Sequence, residues 1–346
     1  MKSKSILLSI LILAACSADN GSLPRQSAAP GLANAFDAYM DAVAEQSQNV
    51  QSIMIVKNGK VVCEKWMNGG EAGVPHIMNS VSKTFTSIAA GMAIDEGLMS
   101  LDDKIVDYFP QFADEAVGED MKKVTVRNLL TMNSGHEPDP TSAIRSSEGD
   151  WVETFLHTPL AFEPGSYFCY NSLGTYVVSE IVQKVTGQKV NDYLETRLWI
   201  PLKIEKPRWD ESPSGANCGG WGLYLKTEDM AKVGLLILQN GRWGKKQLVS
   251  KEWIGAMTSN QVPSRPAMVT PEMAERFGLN KTNSDWMQGY GYQMWQCRNN
   301  AFRADGANGQ YILVLPEKDA VIAMTAELQD MQGELNLIWK HILEAL

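Results

Sequence analysis

Apolar residues recur at helical spacing over 32–48, where Leu32, Phe36, Tyr39, Met40 and Val43 share one face. Two alternating runs follow, 52–56 and 61–67, separated by Lys57-Asn58-Gly59-Lys60. Asn and Gly both tolerate positive φ, so this pair between alternating runs predicts a β-hairpin. From about 81 to 98 the period turns helical again, with Phe85, Ile88, Ala89 and Met92 on one side.

The middle of the chain, roughly 100–285, reads as mostly helical pieces and loops. Thr125 is placed to cap a helix holding Val126, Leu129 and Leu130, and a long helix over 173–186 stops at Gly187. Thr227, followed by Glu228 and Asp229, is expected to cap a helix over 230–239. Strand patterns return at 290–297, 311–315 and 320–325, with Pro316-Glu317-Lys318-Asp319 turning between the last two. The tail, 328–346, is helical with Leu335, Ile338, Trp339 and Ile342 as its apolar face. A sheet is therefore assembled from both chain ends, around a helical insertion.

Composition narrows the class. The 346 residues are 44% hydrophobic and 21% charged with a net charge of −9, the balance of a folded globular protein. An acidic chain without a basic run repels phosphate backbones, so no nucleic-acid partner is expected. Lys2 and Lys4, the apolar run 6–13 and Leu13-Ala14-Ala15-Cys16 read as an export signal over 1–15, too short to remain as a spanning helix. The Leu-Ala-Ala-Cys ending resembles a bacterial lipobox, which implies lipid on Cys16 and a periplasm-facing lipoprotein; a plain signal peptide with a chance cysteine is the alternative. Its removal takes two lysines, leaving a net charge near −11. Residues 16–30 are small and polar, the composition of a flexible tether ahead of one domain over 31–346. Four further cysteines, Cys63, Cys169, Cys218 and Cys297, allow three disulfide pairings that sequence does not separate. No cysteine or histidine spacing suits a metal, so no metal is expected.

The candidate chemistry begins with Ser80 and Lys83, the only Ser-x-x-Lys in the chain. Positions i and i+3 share a helix face, so the amine can reach the hydroxyl. Serine needs a neighbouring base to become a nucleophile, and lysine can act as one only if desolvation or positive potential lowers its pKa well below ~10.4. A helix N-terminus supplies such potential, and backbone N–H groups for an oxyanion. Taken alone, most such motifs are solvated helix surface.

Further segments make the pattern specific. Pro164-Gly165 leads into Tyr170-Asn171-Ser172; Leu129-Leu130-Thr131-Met132-Asn133-Ser134-Gly135 precedes it; Gly219-Gly220-Trp221-Gly222-Leu223 follows; Ala304-Asp305-Gly306-Ala307 stands near the end. Together with Ser80-x-x-Lys83, this order resembles the class C β-lactamase-like serine hydrolases, the superfamily of penicillin-binding proteins, β-lactamases and family VIII esterases. The resemblance covers roughly 35–345 and implies no cofactor. It implies an α+β fold of two lobes, an antiparallel sheet of about five strands with flanking terminal helices (31–80 and 288–346) plus a helical lobe (81–287). It also implies that Ser80 is the acylated nucleophile, that Lys83 and Tyr170 share general-base work with Tyr170 as phenolate or proton relay, and that the backbone N–H groups of Ser80 and Ala307 form an oxyanion hole. Asn171, Ser172, Ala304 and Gly306 would border the substrate, and Trp221 would line the cleft or pack beneath it. A Cys169–Cys218 disulfide would staple the cleft wall; buried thiols are the alternative.

Two departures stand out. Ser172 occupies the second motif's usual asparagine position, and Ala304 the place where Lys or His recognises a substrate carboxylate. Arg303 is adjacent but points to the other strand face. Acyl transfer is therefore expected intact and carboxylate recognition weakened, which favours an esterase, amidase or peptidase over a dedicated β-lactamase. The expected partner is a small-molecule or peptide acyl substrate, with the membrane held through Cys16, and the expected state is a monomer. The rival reading is a catalytically silent relative that binds cell-wall peptide or a partner protein.

Overall fold

Asn58 and Gly59 take φ of 50° and 72°, closing the predicted hairpin between β1 (Val50–Lys57) and β2 (Lys60–Trp66). The computed structural model describes residues 21–146 and 149–346; the expected signal segment 1–15 and the anchor Cys16 lie outside the described residues. β1 continues into a six-stranded antiparallel sheet with β3 (Trp295–Gln296), β4 (Phe302–Gly306), β5 (Gln310–Leu315) and β6 (Ala320–Ala326), in the order β2-β1-β6-β5-β4-β3. The expectation of about five strands is thus exceeded by β4. Its Arg303 and Asp305 are buried charges where an apolar alternation would have signalled a strand. Over the predicted strand 290–297 only Trp295–Gln296 joins this sheet, because Tyr290 turns away to bridge Val262.

Both faces of the sheet are covered. Ile53, Ile55, Leu313 and Ile322 pack with Tyr39 and Val43 of α1 (Pro30–Glu45) and with Leu335 of α5 (Met331–Leu337), the terminal helices. Met54, Val56, Ile312 and Val321 face α2 (Ser82–Asp95) and α4 (Thr227–Leu238). α4 lies directly on the strands: a Cβ on Gly234 would stand 2.4 Å from Val321 Cγ1 and 2.8 Å from Ile312 Cγ2. This helix, expected in the helical lobe, is therefore part of the sheet layer. Thr227 is its first residue rather than its cap, and its hydroxyl bonds Ser52 Oγ at 2.6 Å.

Residues 21–30 also depart from the tether reading. Leu23 is buried, Pro24 and Gln26 exchange backbone bonds with Val61 (2.8 and 2.9 Å), and Arg25 pairs with Glu64 at 3.1 Å and Glu228 at 2.6 Å. Small polar composition was misleading here; one leucine and one arginine suffice to pin the segment along the edge of β2. Among the described residues no helix is long and apolar enough to cross a membrane, and no group of three or more His, Cys, Asp and Glu side chains could hold a metal ion.

Candidate active site

α2 is buried along every residue from Ser82 to Ala93, not only on its predicted apolar side. Its polar side chains survive this because each finds a backbone partner. Thr84 Oγ1 donates to Gln293 O, Thr86 Oγ1 to Gly219 O and Ser87 Oγ to Tyr292 O, at 2.8–3.1 Å. A short turn, Asn79–Val81, leads into α2 and carries Ser80, which is half-buried. Asn79 sits at φ 44°, a left-handed conformation that asparagine tolerates, and its Nδ2 donates to Ala307 O and to Gln310 Oε1, both at 2.9 Å. The Ser80 turn is thereby tied to the end of β4. Gly306 has no room for a Cβ, which would stand 2.5 Å from Met78 O. Glycine is what lets that strand approach.

Lys83 Nζ donates to Ser80 Oγ at 2.8 Å, to Ser172 Oγ at 2.9 Å and to the carbonyl oxygen of Gly220 at 2.8 Å. The side chain is 1% exposed. Burial drives its pKa down to about 7, against the opposing pull of Asp139 and Asp305. Tyr170 completes the cluster. Its phenol hydrogen-bonds Ser80, its ring stacks on Trp295 at 5.3 Å, and Lys83 Nζ lies 4.9 Å from its centroid. Burial raises the phenol well above its ordinary value, and the Ser80 hydrogen bond only partly offsets this. At neutral pH Tyr170 is a protonated phenol, and the amine of Lys83 is the group poised to lose its proton.

The Beta-lactamase family profile matches residues 32–346, nearly all of the described chain. The chain belongs to the beta-lactamase family. It is 24% identical over 296 residues to the 6-aminohexanoate-dimer hydrolase of Paenarthrobacter ureafaciens, covering 81% of this chain and 73% of that one. Among solved structures, a penicillin-binding protein homologue from Caulobacter crescentus superposes with a TM-score of 0.69 at 17% identity, over 93% of this chain and 99% of that one. A family VIII carboxylesterase superposes at 0.66 and 17% identity, also over 93% and 99%. These two share the fold, which is the mixed helix and antiparallel-sheet architecture expected from the sequence.

The cleft of this beta-lactamase-family protein has a volume of about 460 Å³ and opens beside Ser80, Tyr170, Trp286, Trp295, Asp305 and Ala307. Of the residues expected to border substrate, Ser172 instead holds Lys83. Asn171 is buried as the N-cap of α3 (Ser172–Thr186), its Oδ1 accepting from Gly174 N at 3.0 Å, so it is a capping residue and not a cleft residue. Trp221 packs on Trp151 (5.9 Å) beneath Arg145 (4.5 Å) and is not among the cleft-lining residues. Ala304 faces the core on the opposite side of β4 from the cleft. Cys169 and Cys218 are free thiols, as are Cys63 and Cys297, so the proposed staple does not form.

Sequence reasoning missed Asp305 and the Gly220 carbonyl. Strand alternation puts residues 303 and 305 on one face and 304 on the other, so Asp305 could have been found once the segment was read as a strand. Gly220 acts through its backbone, and its side-chain-free state leaves no signal of that. A Cβ there would stand 2.5 Å from Ser172 O, which explains the glycine.

Proposed function

We propose that the protein is a serine hydrolase that forms an acyl-enzyme on Ser80 and cleaves ester or amide bonds. The observation that carries this reading is the buried Lys83 amine, hydrogen-bonded at once to Ser80, Ser172 and Gly220 O with its pKa lowered to about 7. A neutral amine has two N–H groups and one lone pair. The Gly220 carbonyl can only accept, so it takes one N–H; Ser172 takes the other, and the lone pair is left for the Ser80 proton.

As Ser80 Oγ attacks the substrate carbonyl carbon, its proton passes to Lys83 Nζ. The carbonyl oxygen, now negative, lies at the backbone N–H groups of Ser80 and Ala307, held together by Asn79. When the tetrahedral adduct collapses, the leaving oxygen or nitrogen takes a proton from the Tyr170 phenol, and the proton held by Lys83 then restores the phenol. Water then repeats the sequence on the acyl-enzyme and releases the acid. Of the two roles considered for Tyr170, its raised pKa favours the proton relay. Relatives named as a dimer hydrolase and a carboxylesterase support hydrolysis of an acyl bond. A silent binding relative would have no need for a desolvated lysine, a costly feature to keep without chemistry.

The test is hydrolysis of p-nitrophenyl butyrate by wild type and Ser80→Ala, with mass spectrometry of the trapped protein. The expected result is a butyryl adduct on Ser80 and turnover lost in the variant; equal rates in both would overturn the reading. Export and lipid anchoring through Cys16 complete the proposal, and a Cys16→Ser variant that still fractionates with membranes would remove that part.

A further inference from the structure

The cleft beside Ser80 has one charged side chain in its wall, and it is a carboxylate. Its other lining residues include Tyr170, Trp286, Trp295, Met331 and Gln332, with no lysine or arginine among them. Asp305 is held rigidly. Arg303 Nε donates to its Oδ2 at 2.8 Å, Nη2 of the same guanidinium lies 2.7 Å from that oxygen as an ion pair, and the Trp286 side chain hydrogen-bonds it as well. Arg303 itself is wholly buried, stacked 4.5 Å from the centre of Trp286, and also donates to Asp285 O at 3.0 Å. The pair is thus oriented, its cation sealed in the protein and its anion at the cleft wall. Burial raises the Asp305 carboxyl, but direct contact with a permanently charged guanidinium keeps the pair ionised.

Such a wall has a definite preference. A carboxylate flanked by aromatic faces attracts an ammonium group by Coulomb and cation–π terms, and repels a second carboxylate. We propose that Asp305, framed by Trp286 and Trp295, makes this cleft select acyl substrates bearing a protonated amine and reject those bearing a carboxylate. This deepens the Ser80 acyl-enzyme reading and rests on it for the reaction, though not for the binding preference.

The experiment separates the two. Binding of hexylammonium and of hexanoate to Ser80→Ala is measured by calorimetry. In parallel, wild-type kcat/KM is measured for p-nitrophenyl esters of hexanoic acid, 6-aminohexanoic acid and adipic acid, which are matched in length and differ at the far end. The ammonium ligand should bind, and the ammonium ester react, at least about tenfold better than the carboxylate counterpart, equivalent to ~1.4 kcal/mol. The same ratios are measured in Asp305→Asn and in Arg303→Met/Asp305→Asn, which removes both charges together and leaves no buried guanidinium unpaired. Melting curves check that each variant is folded, and both ratios should fall to within about twofold of unity. Equal binding of the two ligands by Ser80→Ala, or an ammonium preference that survives in the folded double variant, overturns the proposal. If the binding preference appears but no ester is turned over through Ser80, the selection by Asp305 stands and the acyl-enzyme reading falls.

Discussion

Lys83 Nζ and Ser80 Oγ stand 2.8 Å apart at the entrance to a helix from which solvent is excluded. That pairing sets the pH dependence. The folded-state pKa of Lys83 is lowered to about 7, so the base form exists only above that value. Ester hydrolysis should rise with pH and level off above about 7, falling roughly tenfold per unit on the acid side. A kcat/KM profile on p-nitrophenyl butyrate that stays flat from pH 5 to 8 would exclude Lys83 as the base.

Ser172 is one of three partners of that amine. Ser172→Ala removes an acceptor from the charged form, so the lysine pKa should drop further and the acid limb should move to lower pH. The plateau should fall roughly tenfold as the amine loses its orientation. An unshifted limb would mean that Ser172 plays no part.

Gly306→Ala would drive a Cβ to 2.5 Å from Met78 O and 2.9 Å from Gln310 Oε1. Backbone cannot yield cheaply, so we expect about 1–3 kcal/mol of lost stability from overpacking. Separation of Ala307 from the Ser80 turn should lower acylation by roughly 10²-fold, the effect of losing one oxyanion donor. Urea melts and burst kinetics measure the two losses separately.

Glu334 lies on the other side of the sheet, wholly buried, accepting from the Tyr39 hydroxyl. Burial raises its pKa from 4.5 to about 7. The folded state therefore holds a proton that the unfolded chain releases, and the stabilisation is full below pH 4.5 and lost as pH rises to about 7. Glu334→Gln keeps an acceptor for Tyr39 and carries no charge. It should match wild type near pH 4.5 and exceed it by roughly 1–3 kcal/mol at pH 8. Denaturant midpoints at the two pH values check this; a variant less stable at pH 8 would contradict it.

Much of this architecture was legible from local rules. Asn58-Gly59 marks the hairpin, Gly187 at φ 70° ends α3, and Thr125 with Asn128 forms a capping box. Ser80, Lys83 and Tyr170 could be named because the spacing of several weak motifs points to one family. What escaped were polar groups whose partners are remote in sequence. The α2 hydroxyls look like solvent-facing positions until Gly219, Tyr292 and Gln293 supply carbonyls. Arg303 and Asp305 broke the strand pattern for a different reason: they pair on one strand face, with the guanidinium sealed inside and the carboxylate at the cleft wall. Asn171 and Ser172, both expected to border the substrate, part ways because the helix start between them assigns one to capping and the other to the lysine.

The unbroken burial of α2 has a thermal consequence. An active centre mounted on a surface loop can stop working well before its scaffold melts. Here the hydroxyl proposed to react stands on the turn that opens a helix buried from Ser82 to Ala93, so loosening around Ser80 would have to unpack that helix. Heat inactivation and cooperative melting should coincide on a temperature axis.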